Sequence, residues 1–224
     1  MNTSDFSGFP TEFADFLFSL RFKNTVDALQ ENKLIYKSLI TEPLVKLYHS
    51  LMPTVLSISE SIITKPSKCV SSMYSDMRFS RLSPLKEYMY IRFREPSNGK
   101  DVLGLYFDMG SEHYSYGIRI YKQTSTGMEQ IRKSILENEK SYSRELETIS
   151  KQGMVVNNDA YVKDHFPKMK ESVAKQLLNS KKFYIGRDMP INDGVFNSDL
   201  CDEIANGFNG LKGLYLLLKN ALSQ

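Results

Sequence analysis

The run Asp76-Met-Arg78-Phe-Ser80, with Lys86 shortly after it, is where this chain gathers the most side chains able to act on another molecule. A serine beside a lysine supplies a nucleophile and a base. An arginine grips a carboxylate or phosphate through two parallel hydrogen bonds. The spacing matches no catalytic signature, and an Asp–Arg pair on one strand face serves equally as a cross-strand bridge that fixes register. Catalytic residues are therefore left unassigned. His113 and His165 titrate near neutrality, but their acidic neighbours Glu112 and Asp164 are adjacent in sequence, and adjacent side chains point apart on an extended chain. Both histidines read as loop residues. Cys69 and Cys201, with His49, His113 and His165 scattered around them, have no zinc-site spacing. No nucleophile elbow, phosphate loop or dinucleotide fingerprint occurs, so no metal and no cofactor are expected.

The elements that would hold these residues follow from periodicity. Phe13, Phe16, Leu17 and Leu20 recur at helical spacing over Pro10 to Arg21. A second helix is predicted from an N-cap at Asn24 or Thr25 through Tyr36, with a break before Pro43. Leu44, Leu47, Tyr48, Leu51 and Val55 predict a third. From Val70 to Tyr121 the period falls to two, with turn residues at Pro84, at Pro96 to Gly99 and at Gly110, which predicts an antiparallel sheet. Its strands run through Met77 and Phe79, through Met89, Ile91 and Phe93, through Val102 to Phe107, and through Tyr114 to Tyr121. Helices are expected around Met128 to Leu136, Tyr142 to Ile149 and Met169 to Leu178, with a strand at Phe183 to Arg187. Val155-Val156 and Tyr161-Val162 read as short strands about a turn at Asn157 to Asp159. Leu200 to Leu222 is a long terminal helix, in which Gly207, Gly210 and Gly213 are explained by close helix packing. The fold class is α+β: a mainly antiparallel sheet with helices on one face, a helical N-terminal quarter and a long C-terminal helix. Residues 1–224 form a single domain.

If Met77, Phe79, Met89, Ile91, Phe93, Ile118 and Ile120 face the helices, their alternating partners share the other face of the sheet. That face collects Asp76, Arg78, Ser80, Tyr88, Tyr90, Arg92, Arg94, Arg119 and Tyr121. Guanidinium groups beside phenol rings suit an anion or a planar group. The candidate ligand-binding residues are Asp76, Arg78, Ser80, Lys86, Tyr90, Arg92 and Arg119, and the competing reading is a plain solvated sheet face. Against 29 basic residues stand 26 acidic ones, a net charge of +3, too small to draw a polyanion, so nucleic acid is not supported as a partner. No apolar run reaches the roughly 18 residues a membrane helix needs, and the first residues lack a secretory signal, which makes the cytoplasm the expected location.

Three stretches together resemble family 2461 of the domains of unknown function, a group of conserved hypothetical proteins of bacteria and fungi. They are Phe6-Ser-Gly-Phe-Pro with Asn24 to Tyr36 and Glu42-Pro43; Asp76 to Ser80 leading to Ser83-Pro-Leu-Lys86; and Ile131-Arg132 on the helix after the sheet. The family carries Trp-Phe where Ala28-Leu29 stand, arginines where Ser72 and Ser75 stand, and a Gly-rich strand that is here Gly117-Ile-Arg119, which makes this chain a divergent member. The resemblance implies a shared α+β fold and brings no activity. From the residues, the leading reading is a module that binds an anionic or planar small ligand, or a partner, on the basic and aromatic sheet face. A small enzyme acting on a phosphorylated or carboxylated metabolite is the alternative, and a purely structural interaction protein is the third.

Overall fold

The structure, a computed structural model, describes residues 5–76 and 84–223. Helix α1 (Phe13–Lys23) turns Phe13, Leu17 and Leu20 inward on one stripe. Helix α2 spans Leu29–Tyr36 and α3 spans Glu42–Ile58. The predicted break before Pro43 does not occur. Lys37–Thr41 winds as a π-helix that joins α2 directly to α3. Pro43 is the second residue of α3 and stands at the junction with the π-helix, where the backbone ladder changes its spacing and one N–H is missing. Of the two predicted caps, Thr25 accepts from the Ala28 N–H at 3.3 Å in the turn that enters α2, while Asn24 is spent elsewhere: its side chain donates to the Leu85 carbonyl at 2.7 Å and accepts from the Leu85 N–H at 3.0 Å. This clamp ties the N-terminal helices to the approach of the sheet, and α2 starts later, at Leu29.

After the short helix α4 (Pro66–Cys69), the described chain makes two isolated bridges, Val70 with Ile91 and Tyr74 with Leu85, before the sheet begins. The strand expected through Met77 and Phe79 lies outside the described residues. Five strands follow: β1 (Met89–Arg94), β2 (Val102–Met109), β3 (His113–Tyr121), β4 (Val155–Ala160) and β5 (Ser180–Pro190). They pair in the order β1-β2-β3-β5-β4, every pair antiparallel. The predicted turn at Asn157 to Asp159 is instead the middle of β4, opposite Tyr184, Phe183 and Lys182. Asn158 donates to the Ser180 hydroxyl at 2.7 Å and accepts from Gln176 at 3.3 Å, so tertiary partners satisfy an amide that would otherwise favour a turn.

Alternation sorts the sheet residues cleanly. Met89, Ile91, Phe93, Leu105, Phe107, Tyr116, Ile118 and Ile185 are buried against the helices. Helix α8 (Asp199–Leu222) crosses this face as one continuous helix and buries Ile204, Phe208, Leu211 and Leu214. Its Gly207 lets the ring of Tyr116 come close, since a Cβ there would stand 2.3 Å from Tyr116 Cε2. Helices α5 (Ser125–Glu137), α6 (Glu139–Lys151) and α7 (Val173–Leu178) complete the layer. No helix among the described residues is long and apolar enough to cross a membrane.

The loop before α7 is held by charge. Lys175, 5% exposed, bridges Asp164 at 2.8 Å and Glu171. Asp164 also accepts from the Phe166 N–H and from the Asn179 amide, each at 2.8 Å. The lysine above all, then these two donors, holds the Asp164 carboxyl down at about 2. An unfolded aspartate titrates near 3.9. The contribution of Asp164 is therefore complete above about pH 4 and is lost as pH falls from there through about 2. In urea midpoints taken from pH 6 to pH 2, the advantage of the wild type over Asp164→Asn is expected to shrink across that window. A gap that stays constant would show that the charge contributes nothing.

Candidate functional site

The face of the sheet opposite these helices is built by the same alternation. It carries Tyr90 and Arg92 from β1, Tyr106 and Asp108 from β2, Arg119 and Tyr121 from β3, and Tyr184 from β5, each one step out of phase with the buried rows. Two glycines shape its centre. Tyr106 is opposite Gly117, and Gly117 is opposite Gly186. With no side chain at either position, the Tyr106 phenol lies across β3 as far as β5, where a Cβ on Gly186 would stand 2.2 Å from Tyr106 Oη. Upon this ring rests Arg119, 4.4 Å from the Tyr106 centroid and 5.0 Å from that of Tyr184. Its Nη1 donates to Asp108 Oδ2 at 3.1 Å. A second stack lies beside the first: Arg92 sits 3.8 Å above the ring of Tyr90 and 5.3 Å from that of Tyr121.

These stacks leave polar atoms without partners. Tyr36 Oη is one buried side-chain atom without a hydrogen bond, and the others found among the described residues, Arg92 Nε, Tyr106 Oη, Asp108 Oδ1 and Tyr121 Oη, all belong to this face. Ser115 approaches the Tyr106 phenol without completing a hydrogen bond of ordinary geometry. Each such atom costs about 1–3 kcal/mol of unrecovered desolvation. Burial pushes the Asp108 carboxyl up, and the Arg119 and Arg92 guanidinium groups offset part of that rise. Burial likewise raises both phenols far above their ordinary range, with Arg119 opposing it most at Tyr106 and Arg92 most at Tyr121, so both keep their protons at neutral pH. A groove of about 520 Å³ adjoins Arg119, with Tyr184, Lys182, Lys122, Asn157 and Asp159 in its walls. A smaller recess of about 160 Å³ adjoins Asp108 on the other side, beside Tyr88, Ser115 and Asp188.

Of the residues singled out from sequence, the structure brings together Tyr90, Arg92 and Arg119. Lys86 stands at their rim, 5.2 Å from the Tyr90 ring, with its amine donating to the Ser72 carbonyl at 2.9 Å. Arg94 reaches away and donates to the Lys68 carbonyl at 2.9 Å. Asp76 is exposed. Arg78 and Ser80 lie outside the described residues. His113 and His165 are both exposed. Tyr106, Asp108 and Tyr184 were not expected at the site. Val102 to Phe107 is so uniformly apolar that its period of two is hidden, and only Asp108, two residues beyond Tyr106, marks the phase.

Two further polar clusters lie elsewhere. Glu95 accepts from Ser59, Ser61, Lys219 and Tyr215 at 2.6–3.0 Å. Its burial would raise the carboxyl, but those four donors bring it below its ordinary value. Glu203 accepts from Tyr114 at 2.8 Å and Tyr116 at 3.0 Å. Both clusters consist of groups that satisfy one another. No group of three or more metal-ligating side chains is found among the described residues.

Fold and site together define an α+β protein whose antiparallel sheet carries helices on one face and an arginine–tyrosine array on the other. The chain belongs to DUF2461, a family of conserved hypothetical proteins whose profile matches residues 12–216. No curated protein matches it.

Proposed function

We propose that the protein is a cytoplasmic, single-domain module that binds a small anionic ligand on the arginine–tyrosine face of its sheet, with Tyr90, Arg92 and Arg119 in the site and Lys86 at its edge. The observation that carries this reading is that four unpartnered buried polar atoms belong to that face. A merely wet sheet face leaves its polar atoms exposed to water, whereas these are covered and unsatisfied. The neighbouring groove borders the array at Arg119 and Tyr184, and with Lys122 and Lys182 against Asp159 in its walls it favours negative charge. Asp76, Arg78 and Ser80 belong to the proposed site through the sequence pattern alone.

The test is thermal denaturation with a panel of small anions: phosphate, citrate, a nucleoside monophosphate and benzoate. A ligand present at about 100 times its Kd adds about 2.7 kcal/mol of stability. For a chain of this size that is a rise in Tm of roughly 5–10 °C. The shift is expected to vanish in Arg92→Ala and Arg119→Ala. A shift of equal size in both variants, or none with any anion, would refute the reading.

A further inference from the structure

Resting on that reading, the unpartnered atoms also prescribe what the ligand must present. Arg92 Nε–H is a donor only. Tyr106 and Tyr121 are phenols, protonated at neutral pH, and each can donate one hydrogen bond and also accept. Asp108 Oδ1 belongs to a carboxylate whose other oxygen is taken by Arg119, and it can only accept. On this one face of the sheet, then, Arg92 Nε–H can only donate, Asp108 Oδ1 can only accept, and the two phenols can do either. In the sheet ladder, Arg92 is opposite Tyr106 and Tyr90 is opposite Asp108, which makes Arg92 and Asp108 diagonal neighbours on one face. Diagonal positions of this kind lie roughly 7–8 Å apart. A compact molecule can therefore meet both.

A bare oxyanion answers the donors but leaves Asp108 Oδ1 unpaired and facing negative charge. A neutral polyol answers Asp108 but wastes the two guanidinium groups. From this complementarity we infer that the ligand is an oxyanion that also carries a hydrogen-bond donor, of the class of hydroxylated carboxylates and hydroxylated phosphate esters, with its anionic oxygens toward Arg92 and Tyr121 and its hydroxyl on Asp108.

All four atoms are sealed, so this ligand is enclosed rather than laid on the surface. Arg92 and Arg119 are the side chains able to swing aside for it, being long and unbranched. Arg119 already borders the large groove and Asp108 the small recess, so their ion pair stands between the two openings. Admission of the ligand exchanges part of the Arg119–Asp108 contact for contacts with the ligand's own anion and hydroxyl.

Matched pairs of probes test this by calorimetric or NMR titration: lactate against propionate, and glycerol 1-phosphate against propyl phosphate. Within each pair the charge and carbon count are equal, and the difference is hydroxyl groups alone, one in the first pair and two in the second. The hydroxylated member is expected to bind at least about tenfold more tightly in whichever class binds, as one hydrogen bond to a charged group allows. The class that binds identifies the anionic group as carboxylate or phosphate. In Asp108→Ala that preference is expected to disappear while the unhydroxylated member still binds. The wild-type ratio decides the matter even if this variant does not fold. Equal affinities within both pairs, or a preference that survives Asp108→Ala, would overturn the hydroxyl assignment and leave anion binding standing. Failure of all four probes and of the anion panel alike, with the buried atoms served by trapped water alone, would overturn both.

Discussion

Replacing Phe93 by alanine is expected to cost about 3–5 kcal/mol, the range for removing a fully enclosed aromatic side chain. Phe93 is 0% exposed and sits where three elements meet. From β1 it stacks on Tyr48 of α3, with centroids 5.6 Å apart and planes 13° from parallel, and its edge relation to Phe208 of α8 spans 6.2 Å at 87°. Both partner rings are anchored. Tyr48 donates to the Thr64 carbonyl at 2.5 Å, and Phe208 makes an edge contact with Tyr116. Neither can relax far into the space left behind, so most of the cavity would persist. Urea denaturation of Phe93→Ala measures the loss, and Phe93→Leu, which keeps more of the volume, should lose clearly less. A cost below about 1 kcal/mol would mean that α3 and α8 close onto β1, contrary to the packing described.

The second large effect is expected at Arg132. Its Nε donates to the Leu178 carbonyl at 3.0 Å and its Nη2 to the Ser180 carbonyl at 2.6 Å. Those oxygens flank the exit from α7 into β5, where the last carbonyls of a helix have no partner of their own. Hydrogen bonds from a charged donor contribute about 1.5–3 kcal/mol each. Arg132→Ala should therefore lower stability by about 2–4 kcal/mol, allowing for water that enters in its place. Arg132→Lys should recover less than half, because an ammonium is a point charge and cannot span two carbonyls as a planar fork does. Full recovery by lysine would show that charge alone matters and the fork does not. The Ile131-Arg132 pair that marks the family resemblance is thus accounted for by scaffold geometry.

Arg132 also shows what a sequence displays and what it conceals. Its type and its place on a helix were evident, but its partners lie 46 and 48 residues further along the chain, and no local pattern announces such a contact. The strands β1 and β3 were legible because one face is buried and the other polar, so the alternation is strong. Tyr90, Arg92 and Arg119 came out of that alternation on the right face. Strand β2 was legible as a strand but not in phase, because burial removes the polar contrast that fixes phase, and this hid Tyr106 and Asp108. Asn24 and Asn157 misled for a shared reason. An asparagine side chain satisfies backbone at caps and turns by preference, and here each stands where a distant segment overrides that preference.

The two stacks have an optical consequence. The chain has 13 tyrosines and no tryptophan, so its near-ultraviolet absorbance and intrinsic emission are essentially tyrosine signals. Four of those phenols, Tyr90, Tyr106, Tyr121 and Tyr184, lie against Arg92 or Arg119. A charge resting on a ring shifts its spectrum, and moving the charge shifts it back. The arginine–tyrosine face therefore carries its own reporter: whatever draws the guanidinium groups away registers in the spectrum of the unlabelled protein.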